Sequence, residues 1–324
     1  MKALVLIGGF GTRLRPVTYA VPKQLIPIAG KPMLYHVLDL LPDDVEEVVL
    51  ATGYKADEIG AYVRAHPLRW PTRTVPEAEP LGTAGGMKNA GGDMSDPFFL
   101  LNADVIASAD LAALRATHAD RGGIGTMSLF EVEDPQPYGV AALGPRDRIT
   151  TFVEKPEPKD APSRWINAGI SIWRRDALTP IPDGRAVSFE REILPGLLSQ
   201  GVYGFRLTGY WEDAGTPERL LHAQQLLFDD RRGGKGGVPV GAHGSGPVAE
   251  MGECSCRGAS FGKYVTLAPD VTVETGARIE NSILMDGAFV ERDATVISSV
   301  LGPRVRVRSG RRVTGQVLGE GAEA

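Results

Sequence analysis

The chain has 324 residues, 43% of them hydrophobic and 23% charged, with a formal net charge of −5 at pH 7. That length supports a sizeable core and two domains, and the mild acidity argues against a general binder of nucleic acid or anionic membrane. No run approaches the ~20 apolar residues of a membrane span, and only five apolar residues separate Lys2 from Gly8, too few for a signal-peptide core, so a cytoplasmic protein is expected.

Cys254 and Cys256 stand one residue apart, awkward for a mutual disulfide. No metal-ligand spacing accompanies them or the 5 scattered histidines, which disfavours a zinc enzyme.

Ala3 to Ile7 reads as a buried parallel strand. Gly8, Gly9 and Gly11 let the following backbone turn sharply and approach a ligand. Amide groups in such a loop cradle phosphate oxygens, and Arg13 and Lys23 add positive charge beside them. Two familiar glycine loops do not fit. No Lys-Ser or Lys-Thr follows, as a P-loop needs, and Leu14 stands where the dinucleotide fingerprint needs its third glycine.

Apolar spacing predicts a helix over 31–41 with Pro32 in its first turn. Strands are expected over 45–51 and 72–75, with a helix over 57–66 between them. Glu79 to Gly86 reads as a loop leading into a helix. Phe98 to Leu101 is a continuous apolar strand, and it delivers Asn102-Ala103-Asp104 to the carboxyl edge of a parallel sheet, where open α/β sheets bind ligands. A helix over 110–121 follows, then strands over 124–132, 140–143, 149–153 and 165–173, a helix over 189–200 and a strand over 203–207. The alternation predicts an α/β fold with a doubly wound sheet. Thr216-Pro217 opens a helix to about Phe228.

Residues 229–246 contain seven glycines and read as a linker or irregular entry segment that extends to 259. Beyond it apolar residues recur at Val273, Ile279, Leu284, Val290, Val296, Leu301, Val307, Val313 and Leu318. The gaps of 6, 5 and 6 sum to a 17-residue repeat that aligns 277–293, 294–310 and 311–324, with 260–276 fitting loosely. Such a period predicts a parallel β-helix. Arg304, Arg306, Arg308, Arg311 and Arg312 alternate partly with valines, which places them on the outer face of a coil.

The string G-G-x-G-T-R-L-x-P-x-T over Gly8 to Thr18, followed by Pro22-Lys23, resembles the signature of the sugar-1-phosphate nucleotidyltransferases. Leu81-Gly82-Thr83-Ala84-Gly85, Tyr138-Gly139-Val140, Glu154-Lys155-Pro156, Asn167-Ala168-Gly169 and Trp211-Glu212-Asp213-Ala214-Gly215-Thr216-Pro217 match further family motifs in the family's order. The resemblance is strong over 1–228, the expected catalytic domain, and looser over 260–324. It implies a Rossmann-like doubly wound mixed sheet followed by a short C-terminal left-handed parallel β-helix. It also implies a reaction that joins a nucleoside triphosphate to a sugar 1-phosphate with release of pyrophosphate.

By the same resemblance, Leu6, Gly8, Gly9, Gly11, Thr12, Arg13, Lys23, Gly82 and Thr83 would bind the nucleotide. Gly139, Glu154, Lys155 and Asn167 would bind the sugar phosphate, and Asp104 and Asp213 would hold Mg²⁺. Arg13, Lys23, Asp104, Lys155 and Asp213 would form the catalytic set. Ala103 departs mildly from the family's Asn-[Gly/Ser]-Asp, which puts the angle of that loop in question. Glu212, beside Asp213, is expected to face solvent.

Several of these motifs look most like mannose-1-phosphate guanylyltransferases, so GTP and mannose 1-phosphate are the expected substrates. Lys23-Gln24-Leu25 and Lys31-Pro32-Met33 lean instead toward glucose-1-phosphate thymidylyltransferases, and a thymidylyl- or uridylyltransferase stays open. So does a non-catalytic subunit that senses a nucleotide sugar. The β-helix is read as an assembly or regulatory element, with a homo-oligomer expected through it. By the resemblance, an acyltransferase would need a longer helix with a catalytic histidine in it, and His243 alone lies beyond the catalytic domain, so no acyltransferase is expected.

Overall fold

The computed structural model describes residues 1–230 and 240–324. It divides into two compact units, one made of 1–9 and 37–211, the other of 10–36 and 212–324.

The first unit is built on a nine-stranded sheet. Ala3–Ile7 lies at its centre with parallel neighbours on both sides, Val48–Thr52 and Phe98–Asn102, and Thr72–Pro76 extends it parallel beyond Val48–Thr52. These inner strands read as unbroken apolar runs because both sheet faces are covered; every residue of Val48–Thr52 is buried. Beyond Phe98–Asn102 the sheet turns antiparallel through Trp165–Trp173, which pairs Gly125–Glu131 and, at Ile166, Gly139–Leu143. Ile149–Glu154 pairs antiparallel with Gly139–Leu143, and Val202–Arg206 pairs parallel with Gly125–Glu131, so the sheet is mixed, as expected.

Helix Gly82–Ala90 supplies Ala84 and Met87 to a core that includes Leu4, Val49, Phe98 and Trp173. Helix Leu111–Arg121 is held at both ends. Asp110 accepts the Ala113 N–H at 2.9 Å, and Gly122, at φ +68°, closes the last turn onto His118.

Three elements differ from expectation. The helix expected over 31–41 is confined to Met33–Leu38, because Lys31–Pro32 pairs with Pro27–Ile28 in a small hairpin. Pro32 therefore precedes the helix instead of opening it. The helix expected over 189–200 is broken into a π-helical turn Phe189–Ile193, one α-turn Leu194–Leu197 and a 3₁₀ turn Leu198–Gln200. Pro195 brings no N–H to that run, which limits regular bonding across it. Leu81-Gly82-Thr83-Ala84-Gly85 is no loop: helix Gly82–Ala90 begins inside it.

In the second unit, successive coil strands stack in parallel to form three sheets. Val273, Val290 and Val307 form one interior column, Ile279, Val296 and Val313 another, and Leu284, Leu301 and Leu318 a third. These are the nine positions of the repeat, and their stacking is that of a parallel β-helix. Phe261 pairs with Ile279 whereas Val265 pairs with Ser282, so the corner at 262–264 holds one extra residue. That insertion explains the loose fit of 260–276. Coil strands already occur at His243–Gly244 and Val248–Glu250, within the expected entry segment; residues 231–239 of that segment lie outside the described residues.

The five arginines of the basic run are exposed, as the outer-face reading requires. Glu291 pairs Arg306 and Arg308, Glu320 pairs Arg304, and Glu323 pairs Arg308. Such exposed pairs are screened by solvent and salt and add little stability.

Candidate active site

In the first unit Leu6, Gly8 and Gly9 lie at the carboxyl end of a parallel strand, whereas Gly139, Glu154 and Asn167 lie on the antiparallel strands. Gly9 adopts φ +90°, and beyond the chain neighbours no atom lies within 4 Å of where a Cβ on Gly8 or Gly9 would stand. Gly82, at φ +69°, could carry no side chain, because a Cβ there would lie 2.6 Å from the Val187 carbonyl oxygen. Thr83 donates its hydroxyl to Glu190 Oε2 at 2.7 Å and accepts the Phe189 N–H at 2.8 Å, fixing the first turn of helix Gly82–Ala90.

Asp104 follows strand Phe98–Asn102 directly, at the predicted edge. Ala103 keeps an ordinary negative φ, is buried, and donates its N–H to the Leu6 carbonyl at 3.1 Å. The departure to alanine therefore leaves the loop unstrained.

Leu6, Thr83, Asn102, Asn167, Gly169 and Glu190 line one pocket. Asn167-Ala168-Gly169 owes its placement to a shift of register. Asn167 pairs with Leu129 and Ser171 with Met127, so strand Trp165–Trp173 bulges between them, with Gly169 at φ +72°. The Asn167 side chain accepts the Gly169 N–H at 3.0 Å, and the Trp211 indole N–H donates to the Ala168 carbonyl at 3.0 Å.

Gly139 lies opposite Glu154 in the antiparallel register, and a Cβ at 139 would stand 2.7 Å from Glu154 Oε2. Burial, with the Glu190 charge nearby, holds the Glu154 carboxyl above its ordinary pKa, against the opposing pull of Lys155. Lys155 sits at φ +52° just past the strand end, with its Nζ 3.8 Å from Glu154 Oε1. The first unit thus brings Gly139, Glu154, Lys155 and Asn167 together on one sheet edge.

The second unit holds the cationic part. Gly11 adopts φ +59° against Thr18, whose hydroxyl donates to the Gly11 carbonyl at 2.8 Å. A 3₁₀ turn, Thr12–Leu14, then presents Arg13, which is 61% exposed. Lys23 is 7% exposed, on a second such turn, Lys23–Leu25. Both face Asp213: Arg13 Nη2 lies 3.9 Å from Oδ2 and Lys23 Nζ 3.8 Å from Oδ1. Arg219 adds a third cation at 3.7 Å. Arg13, Lys23 and Asp213 are therefore one cluster, although 190 residues separate Lys23 from Asp213 in sequence.

For a divalent ion the expected donors are carboxylate oxygens, the chemistry of a hard cation. Among the described residues no group of three or more His, Cys, Asp or Glu side chains could hold a metal. An ion of the Mg²⁺ type takes one or two carboxylates together with a substrate's phosphates, and Asp104 and Asp213 carry that donor chemistry.

One carboxylate, Glu77, escaped the sequence reading, and another, Glu212, departs from it. Glu212 does not face solvent. Its side chain is 12% exposed and meets His222 Nδ1 at 2.6 Å, an i to i+10 pairing that appears only once helix Pro217–Asp229 folds back. Glu77, just past strand Thr72–Pro76, accepts the Leu81 N–H at 3.1 Å beside Gly53 and Gly86. Burial raises its pKa against that hydrogen bond. Its signal was position: an acid just past a strand end, with Ala78, Glu79 and Pro80 between it and the Leu-Gly-Thr-Ala-Gly stretch.

Comparison with known proteins agrees over most of the chain. A family described as nucleotidyl transferase matches residues 2–230, and one described as the GMPPB C-terminal domain matches 249–324. A mannose-1-phosphate guanylyltransferase of Mycobacterium tuberculosis is 34% identical, over 91% of this chain and 83% of its own length. A probable mannose-1-phosphate guanylyltransferase 1 of Oryza sativa subsp. japonica is 35% identical, over 99% of this chain and 91% of its own. Among solved structures, HddC from Yersinia pseudotuberculosis complexed with GMP-PN superposes with TM-score 0.60 at 30% identity, covering 69% of this chain and 98% of that one. The chain belongs to the nucleotidyl transferase family.

Proposed function

We propose that the chain transfers guanylyl from GTP to mannose 1-phosphate, forming GDP-mannose and pyrophosphate. The observation that carries this is the match to guanylyltransferases over 91–99% of the chain, coil region included. A phosphate oxygen of the sugar phosphate attacks the α-phosphorus, and the bond from that phosphorus to the β-phosphate bridging oxygen breaks. The new P–O–P link joins the sugar phosphate to the guanylyl group, and pyrophosphate leaves. The attacking phosphate is ionised near neutrality, so no side chain need remove a proton.

The residues then have positional and electrostatic tasks. The amide edge at Gly8 and Gly9 and the turn at Gly11 and Thr12 bind phosphates, with Leu6, Gly82 and Thr83 against the nucleoside. Lys23 binds the triphosphate and Arg13 offsets charge on the departing pyrophosphate. Lys155 holds the attacking phosphate, while Glu154, Asn167 and the Gly139 backbone read sugar hydroxyls. Asp104 and Asp213 are the ligands of a divalent ion, Mg²⁺, which supplies charge neutralisation on the reacting phosphates. Glu77 suits guanine, whose N1–H and N2–H groups are both donors and need an acceptor such as a carboxylate. We also carry forward a homo-oligomer through the β-helix, checked by light scattering of the intact protein.

The test crosses GTP, dTTP, UTP, ATP and CTP against mannose, glucose and N-acetylglucosamine 1-phosphates with Mg²⁺, reading pyrophosphate. GTP with mannose 1-phosphate is expected to dominate. Preference for another pair refutes the substrate assignment, and tight binding of a nucleotide sugar with no release from any pair favours a sensing subunit.

A further inference from the structure

One face of the β-helix is unlike the other two. In the sheet of Val248–Glu250, Val265–Leu267, Ser282–Leu284 and Val300–Leu301, register partners Ala249, Thr266, Ile283 and Val300 are 8%, 0%, 0% and 1% exposed. None of them belongs to the coil's interior cluster, which takes their neighbours Val265, Leu267, Leu284 and Leu301 instead. They point outward and are nevertheless covered. On the other two sheets the outward positions are exposed or half-buried, as at Arg278, Thr295, Phe289 and Arg306.

The cover comes from the same compact unit. Gly30 meets Ala249, whose Cβ lies 3.3 Å from where a Cβ on Gly30 would stand, and Gly319 of the last coil meets Pro16 at 3.0 Å by the same measure. Between these contacts lies the only polar member of the column. Thr266 Oγ1 accepts the buried Ala29 N–H at 2.8 Å and donates to Gln224 Oε1 at 2.5 Å. Gln224, itself fully buried on helix Pro217–Asp229, returns its amide to the Tyr264 carbonyl at 2.8 Å. Ala29 sits at φ +44°, in the tight turn of the Pro27–Ile28 and Lys31–Pro32 hairpin. That turn needs an acceptor for its buried N–H, and coil packing alone would accept valine at 266.

We propose that Thr266 is a positioning residue for the signature segment. Its hydroxyl ties the hairpin turn at Ala29 to helix Pro217–Asp229, and so sets the segment that presents Arg13 and Lys23 to Asp213. The β-helix is then a support for the segment 10–36, beyond any part it has in assembly. This rests on the nucleotidyl-transfer reading for its kinetic consequence only.

The test compares wild type with Thr266→Val, which keeps the shape and removes the hydroxyl, and Thr266→Ser, which restores it. Hydrogen exchange of the Ala29 amide is expected to quicken at least about tenfold in the valine variant and to return near wild type in the serine variant. In turnover, kcat/KM for the nucleotide is expected to fall about tenfold, with KM for the sugar phosphate changed less than twofold. Gln224→Met, which removes the other partner, carries the same expectation should Thr266→Val fail to fold.

Unchanged exchange and unchanged kinetics in Thr266→Val overturn the proposal. Equal loss toward both substrates with only a lowered melting temperature does so too, since that marks a merely structural role. If wild type releases no pyrophosphate, the functional reading fails, and the exchange data alone still decide whether Thr266 holds the turn.

Discussion

At the scale of single residues, glycines and carboxylates shape the site for different reasons. Gly82 is required by space and by backbone angle together. Gly82→Ala forces a methyl against the Val187 carbonyl at φ +69°, and the neighbouring bond from Ala84 N–H to that carbonyl, at 3.0 Å, must shift. A loss of about 1–3 kcal/mol is expected, read as a lower melting temperature together with a raised KM for the nucleotide. An unchanged melting temperature would contradict the steric account. Glu77 is a matter of polarity. Glu77→Gln replaces one acceptor with a donor, and should lower kcat/KM for GTP about 10–100-fold while sparing or improving dTTP and UTP. Equal loss with all nucleotides would remove Glu77 from base reading.

At the scale of elements, the regular pieces were legible and the irregular ones were not. Ala3–Ile7, Phe98–Asn102 and Trp165–Trp173 announced themselves through apolar runs, and the interior columns of the β-helix through a strict 17-residue period. The bulge at Asn167 and the helix start at Gly82 depend on contacts between distant segments, and the hairpin that shortens helix Met33–Leu38 on pairing across a turn; periodicity along one segment reports neither. The outward column Ala249, Thr266, Ile283 and Val300 keeps the same 17-residue spacing. It was readable in principle, but the interior columns dominate the pattern. The family motifs named the candidate residues; the fold shows what holds their segments, as with Gln224 and Trp211.

Helix Leu111–Arg121 allows a test of pH dependence. His118 is buried against Thr126, with its Nδ1 3.0 Å from the hydroxyl oxygen. Burial and the nearby Arg174 charge lower its pKa below the ordinary 6.5. The unfolded chain then binds the proton more readily, so this stability is present above pH 6.5 and is lost as pH falls through the folded value. The stability difference between wild type and His118→Gln in urea should shrink from pH 7.5 toward about pH 5.5. A difference that stays flat or grows toward acid would contradict a neutral buried imidazole.

For the whole molecule, the two compact units do not follow the order of the chain. The signature string is divided between them at Gly9 and Phe10, and the segment 10–36 belongs with the β-helix. Removing residues 240–324 should therefore do more than alter assembly. It strips the buried partners of Ala29, Gly30 and Pro16, and activity is expected to fall at least about 100-fold, with the shortened chain prone to aggregate. A shortened chain that stays monodisperse and fully active would refute the supporting role of the coils. No helix among the described residues is long and apolar enough to cross a membrane.

The reaction itself is tested most directly by the fate of oxygen. Mannose 1-phosphate labelled with ¹⁸O in its non-bridging phosphate oxygens is incubated with GTP, Mg²⁺ and the protein, and the products are followed by ³¹P NMR and mass spectrometry. The account predicts GDP-mannose carrying all the label, part of it in the oxygen that bridges the two phosphorus atoms, and unlabelled pyrophosphate. Label in the pyrophosphate, or no GDP-mannose from folded protein, would contradict attack of the sugar phosphate on the α-phosphorus.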